Sequence, residues 1–171
     1  MNYAQIFAHY EKQLDALGEE AESLTFTFRA LKKMTATDFF LSLRQEVTAE
    51  DEAMLADVFE KLSQHIPAQY IIGEADFHGL TFKVDQRVLI PRPETEELVD
   101  LILEENPQDN LSLLDIGTGS GAIAISLKHA RPGWQVAASD LSDDALAVAT
   151  ENAHRHNTNI QFFRADVFRQ V

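Results

Sequence analysis

The residues best suited to chemistry form a glycine-rich segment at positions 113–121, with the sequence LLDIGTGSG. An apolar, strand-like run passes there into three glycines that alternate with small polar residues. Glycine lets the backbone approach a ligand closely and adopt the left-handed dihedral angles of a tight turn. Because open α/β sheets bind ligands where such a strand ends, we expect a ligand to lie against this turn. The predicted binding residues are Gly117, Thr118, Gly119, Ser120 and Gly121.

Two acidic residues follow the next two predicted strands and support this prediction. Asp140 lies 19 residues after Gly121, where a carboxylate can accept hydrogen bonds from the hydroxyl groups of an adenosine ribose. Asp166, followed by Val167, ends the third predicted strand on the same rim of the sheet. A glycine turn alone is also consistent with a plain connection between a strand and a helix, so the two acids favour a nucleoside ligand.

The glycine spacing and one further acid bear on the class of this ligand. The segment has the pattern G-x-G-x-G, whereas the dinucleotide fingerprint is G-x-G-x-x-G, and a looser form of it accepts the alanine at position 122. The glycines alone therefore leave NAD open as the ligand. Asp115, just before the turn, would attract the sulfonium and amino groups of S-adenosylmethionine and repel a diphosphate. Together these features favour S-adenosylmethionine.

The elements that position these residues alternate between strand and helix. Apolar strand-like runs at residues 111–116, 135–139 and 160–163 alternate with helical patterns at residues 122–129 and 143–154. This βαβαβ order predicts a parallel sheet with the glycine turn and both later acids at one edge.

The first ~70 residues have a different pattern, which predicts a small helical bundle. Apolar residues recur at helical spacing over residues 3–17, 19–34 and 38–45, and again from Thr48 until Pro67. Thr35 and Thr48 are each followed three residues later by an aspartate, as at the start of a capped helix.

A short β-rich stretch separates the bundle from the glycine turn. The aromatic and β-branched runs 77–84 and 87–90 flank Asp85-Gln86, and they predict a hairpin that turns at that pair. Pro91-Arg92-Pro93 ends the hairpin, because proline cannot donate a hydrogen bond to a sheet. A helix is expected to begin near Glu94, with acidic residues in its first turn.

The overall composition restricts the partners of the protein. Fourteen Lys and Arg against 28 Asp and Glu give a formal net charge of −14, which disfavours a nucleic-acid substrate and suits a basic protein partner. No apolar run approaches the ~20 residues of a membrane span, and the N-terminus lacks an export signal. With no cysteine and no metal-ligand spacing among six histidines, we expect a soluble, cytoplasmic protein without a metal site.

Nearly the whole chain resembles the HemK-type release-factor glutamine methyltransferases. The most specific part covers residues 73–80 (GEADFHGL) and 89–96 (LIPRPETE), which are similar to the family's hairpin and its Pro-Arg-Pro-x-Thr-Glu segment. The resemblance implies N5-methylation of the glutamine in the Gly-Gly-Gln loop of peptide chain release factors, with S-adenosylmethionine as the cofactor. A related family that methylates a ribosomal protein differs after the Pro-Arg pair, and it is the alternative substrate class.

The resemblance also implies a domain organisation and roles for particular residues. Residues 1–73 would form a helical domain that recognises the release factor, 74–93 a β-hairpin connector, and 94–171 the first part of a Rossmann-like class I methyltransferase domain. Residues 117–121 would form the cofactor turn and Asp140 would bind the ribose hydroxyls. The remaining expected site residues are Asp166 and Val167 beside the adenine, and Arg92, Pro93, Glu94 and Thr95 in a flap near the cofactor and substrate.

The family orients its substrate amide with an Asn-Pro-Pro-Tyr motif, which does not occur in this sequence. Asn106-Pro107 precedes the glycine turn and is followed by glutamine, so no catalytic residue is assigned. The expectation is a truncated chain that binds cofactor weakly at best and leaves one edge of strand 111–116 open to self-association. An NAD-dependent oxidoreductase and a non-catalytic adaptor that binds release factors are the alternatives from other functional classes.

Overall fold

The computed structural model describes residues 1–167 and 169–170. The chain divides into two compact units, Met1–Ile72 and Gly73–Val171, and each unit has its own hydrophobic core. Among the residues that the structure describes, no helix combines the length and the apolar composition needed to cross a membrane.

The first unit is a bundle of helices, as the apolar spacing predicts. Asn2, Thr35 and Thr48 start three of these helices, because each side chain accepts a hydrogen bond from the backbone N–H three residues further on. Phe28 and Leu55 are fully buried in the core between the helices. The helices are α1 (Tyr3–Ala16), α2 (Glu22–Lys32), α3 (Ala36–Ser42), α4 (Ala49–Ser63) and α5 (Ala68–Ile72).

A buried acid joins α1, α2 and α4 of this bundle. Asp51 is only 4% exposed, and its carboxylate accepts hydrogen bonds from Tyr3 Oη at 2.5 Å and from Lys32 Nζ at 2.7 Å. Burial alone would raise the pKa of Asp51, but the bonds from Lys32 and Tyr3 outweigh burial and hold this pKa below its usual value. Asp51 is therefore a charged link between three helices.

The second unit begins with a hairpin of two antiparallel strands, β1 (Glu74–Phe77) and β2 (Leu80–Lys83). His78 and Gly79 form the connecting turn, with φ angles of 49° and 76°. Two consecutive positive φ angles are typical of a type I′ turn, whose twist matches that of the strands. Glu96 Oε1 accepts a hydrogen bond from the His78 backbone N–H at 2.9 Å and so holds the turn in place.

The hairpin turn expected at Asp85-Gln86 and the strand expected over residues 87–90 are wrong. Asp85 instead closes a local turn, since its Oδ1 accepts the Arg87 backbone N–H at 2.9 Å and its Oδ2 accepts Arg87 Nη2 at 2.7 Å. Such aspartate-to-backbone bonds compete with strand pairing. Residues 87–90 consequently lead as a turn and an irregular segment toward Pro91.

The remainder of the second unit alternates helices and strands. It contains α6 (Thr95–Glu105), β3 (Ser112–Ile116), α7 (Ala122–Ala130), β4 (Gln135–Asp140), α8 (Asp143–Arg155), β5 (Gln161–Asp166) and β6 (Arg169–Gln170). The sheet order is β3-β4-β5-β6, with the first three strands parallel and β6 antiparallel to β5. The predicted βαβαβ order is confirmed, and the fold is α/β with a helical N-terminal part and a partial Rossmann-like domain.

The hairpin contributes to the core of the second unit. Phe77 and Phe82 are 1% and 0% exposed, and they belong to the same buried cluster as Ile125 and Trp134. The indole of Trp134 is fully buried, and its Nε1 donates a hydrogen bond to the Gln108 carbonyl oxygen at 2.9 Å. The hairpin is therefore packed as part of the α/β unit.

The strand before the glycine turn lies at the outside of the sheet. Among the described residues, β3 pairs with β4 and its other edge has no strand beside it. Leu114 and Ile116 alternate with the partly buried Leu113 and Asp115, and they are 51% and 53% exposed. One edge of β3 and one face of the sheet next to the glycine turn are thus accessible.

Candidate functional site

The glycine turn connects the end of β3 to the start of α7. Gly117, Gly119 and Gly121 have φ angles of 76°, 57° and 84°, in the left-handed region that disfavours side chains. A Cβ at Gly121 would lie 2.8 Å from Ile125 Cδ1 and 3.3 Å from Ala149 Cβ, so this glycine also permits close packing of α7 and α8. A Cβ at Gly117 or Gly119 would meet no atom within 4 Å. The first two glycines therefore border open space.

The backbone of the turn is fixed against the next strand. The N–H groups of Gly117 and Thr118 both donate to the Ser139 carbonyl oxygen, at 2.8 and 2.9 Å. Thr118 and Ser120 are buried, and the N–H of Gly121 donates to the Thr118 carbonyl oxygen at 2.9 Å. The turn is thus held in shape by the protein, as a preorganised binding loop needs.

Asp115 lies behind the turn as a partly buried carboxylate. Thr118 Oγ1 donates to Asp115 Oδ2 at 2.8 Å, while no Lys or Arg of the described part of the chain forms an ion pair with it. Burial raises the pKa of Asp115, the bond from Thr118 lowers it, and the nearby Asp140 charge raises it, with a net increase. A cationic ligand would supply the positive charge that the protein does not place there.

Asp140 reaches across the turn from the end of β4. Its Oδ2 accepts the Gly119 N–H at 2.9 Å, and its Oδ1 accepts the Ser142 N–H at 3.0 Å. A carboxylate has about four acceptor positions on its two oxygens, so Asp140 can still accept hydroxyl groups. The structure therefore brings together Asp115, Asp140 and the glycine turn, as the sequence predicts.

The remaining predicted acid, Asp166, is bonded only to its neighbour within the described residues. Asp166 ends β5 on the same rim as Asp140, and both Asp166 and Val167 are exposed. The only hydrogen bond of the Asp166 side chain within the described residues is from the Val167 N–H to Oδ1, at 2.7 Å. The structure thus places these two residues on the rim, and their contact with a ligand stays a prediction.

A cavity of about 180 Å³ lies between the glycine turn and the segment that leads into α6. Arg92 and Thr95 of the predicted flap line it, whereas Pro93 and Glu94 do not. Arg92 is exposed and forms no ion pair within the described residues. The cavity is lined by Phe77, Leu89, Ile90, Pro91, Arg92, Thr95, Gly117, Thr118, Gly119, Ser120, Ala122 and Ile123.

The sequence predicts Glu96, with Arg92 and Glu94, in the flap segment, but it does not predict the roles of Asp100 and Asn152. Glu96 and Asp100 hold His78, the latter with Oδ1 at 2.7 Å from His78 Nε2. Asn152, which is fully buried on α8, bonds both the hairpin and the glycine turn. A signal for Asn152 exists in the sequence, because it is a polar residue on the face of α8 that also carries Val148.

The described residues contain no group of three or more His, Asp or Glu side chains that could hold a metal ion. The polar groups at the glycine turn and the cavity are the Asp115 and Asp140 carboxylates, which contact the turn, and the hydroxyl groups, the Arg92 guanidinium and the backbone amides of the cavity wall. Such a set can orient a nucleoside and balance a positive charge.

Two family models match the chain and together cover both of its units. A model described as the PrmC N-terminal domain matches residues 5–73. A second model, described as the methyltransferase small domain, matches residues 95–171.

Several curated relatives are similar over most of this chain. The release factor glutamine methyltransferase of Streptococcus pneumoniae is 55% identical, over 100% of this chain and 62% of its own length. The proteins of the same name from Lactococcus lactis and Enterococcus faecalis are 47% and 41% identical, over 94% and 100% of this chain and 59% and 60% of theirs. The chain thus spans about three fifths of the length of these relatives. By these matches, the first unit is similar to the PrmC N-terminal domain, the second unit is similar to the methyltransferase small domain, and the whole chain is similar to release factor glutamine methyltransferases.

Proposed function

We propose that the second unit binds S-adenosylmethionine and that the whole protein methylates the side-chain nitrogen of a glutamine in peptide chain release factors. One arrangement supports the cofactor above all: a glycine turn that borders open space, with the Asp115 and Asp140 carboxylates on either side of it. The names of the curated relatives support the substrate class. The Pro-Arg-Pro-Glu-Thr-Glu segment favours a release factor over a ribosomal protein.

The residues present fit this cofactor. When bound, S-adenosylmethionine would supply an electrophilic methyl group: the bond from sulfur to methyl would break, S-adenosylhomocysteine would leave, and the glutamine nitrogen would gain the methyl group and lose a proton. Asp115 balances the positive charge of the sulfonium and amino groups, because it is partly buried and has no cation beside it within the described residues. Asp140 accepts the ribose hydroxyls, and the backbone at Gly117 and Gly119 lets the ligand come close. Asp166 and Val167 border the adenine.

The segment opposite the turn forms the other wall of the site. Arg92 and Thr95 line the cavity, and with Pro93 and Glu94 they form a flap over the cofactor and the substrate. Within the described residues Arg92 forms no ion pair, so its guanidinium can pair with an acidic group of a bound ligand.

The two units and the net charge of the chain indicate which partners the protein binds. Residues 1–73 recognise the release factor, which the match to the PrmC N-terminal domain supports, and residues 74–93 connect them to the methyltransferase part, residues 94–171. A net charge of −14 disfavours direct binding to nucleic acid and suits a basic protein surface. The free edge of β3 pairs with a second copy of the chain, and the absence of cysteine fits a cytoplasmic setting.

Calorimetric titration of the chain with S-adenosylhomocysteine and, separately, with NAD tests the cofactor. We expect binding of S-adenosylhomocysteine and none of NAD, because Asp115 repels a diphosphate. Binding of NAD alone would contradict the proposal and favour an oxidoreductase.

Methyl transfer is tested with labelled S-adenosylmethionine and a release factor, with a release factor that lacks the glutamine of the Gly-Gly-Gln loop as control. Because the sequence contains no Asn-Pro-Pro-Tyr, we expect the chain to bind both ligands but to transfer little label. Label in the loop glutamine at the rate of a curated relative would contradict this expectation. Binding of the release factor that persists without any cofactor binding would favour an adaptor.

A further inference from the structure

Asn152 bonds two segments that are far apart in sequence. Its side chain is fully buried on α8. Oδ1 accepts the Lys83 backbone N–H at 2.7 Å, and Nδ2 donates to the Lys83 carbonyl oxygen at 3.0 Å and to the Ser120 carbonyl oxygen at 2.9 Å. Both amide hydrogens and one acceptor position of the carbonyl group are therefore used.

The two segments held by Asn152 lead directly into the walls of the cavity. Ser120 belongs to the glycine turn and lines the cavity itself. Lys83 ends β2, and the chain runs from there to the opposite wall at residues 89–95. Val84 and Val88 are buried along this path, at 1% and 4% exposure. Because they are packed in place, we expect a shift of Lys83 to move residues 89–95 as well.

We propose, on the basis of the function proposed above, that Asn152 is a positioning residue that sets the spacing between the glycine turn and residues 89–95, and thereby the affinity for the cofactor. Few other side chains could replace it. Aspartate keeps the acceptor but has no donor when ionised, and leucine or alanine would leave buried backbone groups without partners, which is costly. Asn152 would not touch the reacting atoms, so its effect is on binding geometry.

The affinity for S-adenosylhomocysteine separates this role from a purely structural one. Asn152→Ala and Asn152→Asp are compared with Val148→Ala, a buried residue of the same helix, at a temperature where circular dichroism shows every variant folded. We expect both Asn152 variants to bind roughly tenfold more weakly, as for the loss of buried hydrogen bonds. Val148→Ala should lose stability but keep the affinity of the unchanged chain.

A second measurement needs no ligand. Because the chain has no cysteine, Leu89→Cys and Ile116→Cys can carry spin labels at two exposed positions beside the two walls. Asn152→Ala, or Asn152→Asp if the alanine variant does not fold, is expected to broaden the distance distribution between the labels. Val148→Ala should leave it narrow.

The outcomes distinguish this inference from the proposed function. If folded Asn152 variants bind S-adenosylhomocysteine like the unchanged chain and keep a narrow distance distribution, the positioning role is overturned. If the unchanged chain does not bind S-adenosylhomocysteine, the cofactor assignment fails, and the role of Asn152 in affinity fails with it.

Discussion

The three glycines of the turn are required for different physical reasons. Gly121 combines a left-handed backbone with close contacts to Ile125 and Ala149, so any side chain there would clash. Gly117 and Gly119 have left-handed backbones but face open space. A substitution at Gly119 therefore adds a methyl group where we place the ligand, with no change in packing inside the protein.

Gly119→Ala is expected to weaken the binding of S-adenosylhomocysteine by roughly tenfold, which corresponds to ~1.4 kcal/mol, because the added methyl group takes up space in which we place the ligand. Gly18→Ala is a matched control, because Gly18 has a φ of 79° and also no atom within 4 Å of a built Cβ. Both variants should lose about 1 kcal/mol of stability through left-handed strain. Equal affinities of the two variants in calorimetric titration would place the ligand elsewhere.

Asp115→Asn is expected to lower the affinity for S-adenosylmethionine roughly tenfold and that for S-adenosylhomocysteine less, because only the former has a sulfonium charge. The pKa of Asp115 is raised chiefly by burial. As pH falls, Asp115 becomes neutral at a higher pH than an ordinary aspartate, and the affinity for S-adenosylmethionine should fall in that range. The asparagine variant should lack this part of the pH dependence.

The same substitution is expected to stabilise the fold at neutral pH. A carboxyl with a raised pKa in the folded state favours folding when protonated, and this stability is lost as pH rises through the raised pKa. Asparagine removes the buried charge and can still accept the hydrogen bond of Thr118. Thermal unfolding at neutral pH should therefore give a higher midpoint for Asp115→Asn, and a lower midpoint would show that the charge is compensated.

Repeated sequence patterns predict most helices and strands well, whereas contacts between single residues that are far apart in sequence are predicted poorly. Helical spacing identifies α1 to α4 of the bundle but misses the short α5, and alternating strand and helix patterns identify β3 to β5. The hairpin turn was misplaced because Asp85-Gln86 is a common turn pair, whereas the left-handed geometry of His78 is supported by Glu96, 18 residues away. The pattern of α8 likewise indicates that Asn152 is a polar residue on a buried face, but its partners at Lys83 and Ser120 are seen only in the structure.

The Asp51 link between the helices of the bundle makes a further prediction. Asp51→Asn is expected to lower the free energy of unfolding by about 2 kcal/mol, because the Lys32 charge and the Tyr3 hydroxyl lose a buried anion. The pKa of Asp51 is below its usual value, so the stability it provides is present at neutral pH and is lost as pH falls through that lowered pKa.

Urea titration at several pH values tests this prediction. Asp57→Asn, on the same helix α4, is the control, because its ion pair with Lys61 lies at the surface, where such pairs contribute little. The two variants should differ at neutral pH and converge at acidic pH. A difference that does not depend on pH would mean that Asp51 acts through packing alone.

For the whole molecule, the net charge and the sheet topology are expected to have opposite effects on self-association. The edge of β3 that has no neighbouring strand among the described residues would favour pairing with a second copy, whereas a net charge of −14 would oppose it. Salt screens the repulsion, so we expect association to increase with ionic strength. Leu114→Lys should reduce association measured by sedimentation, while Leu89→Lys, at another exposed leucine, should not. A monomer at every salt and protein concentration would refute pairing through this edge.

The positions of Phe77 and Phe82 determine which fragments of the protein keep a complete core. Both rings lie in the core of the second unit, and Lys83 is bonded by Asn152. A fragment that starts at residue 94 would have a hole in place of two aromatic rings and would be prone to aggregate, whereas one that starts at Gly73 keeps them. The smallest part of the second unit that keeps its complete core therefore includes the hairpin.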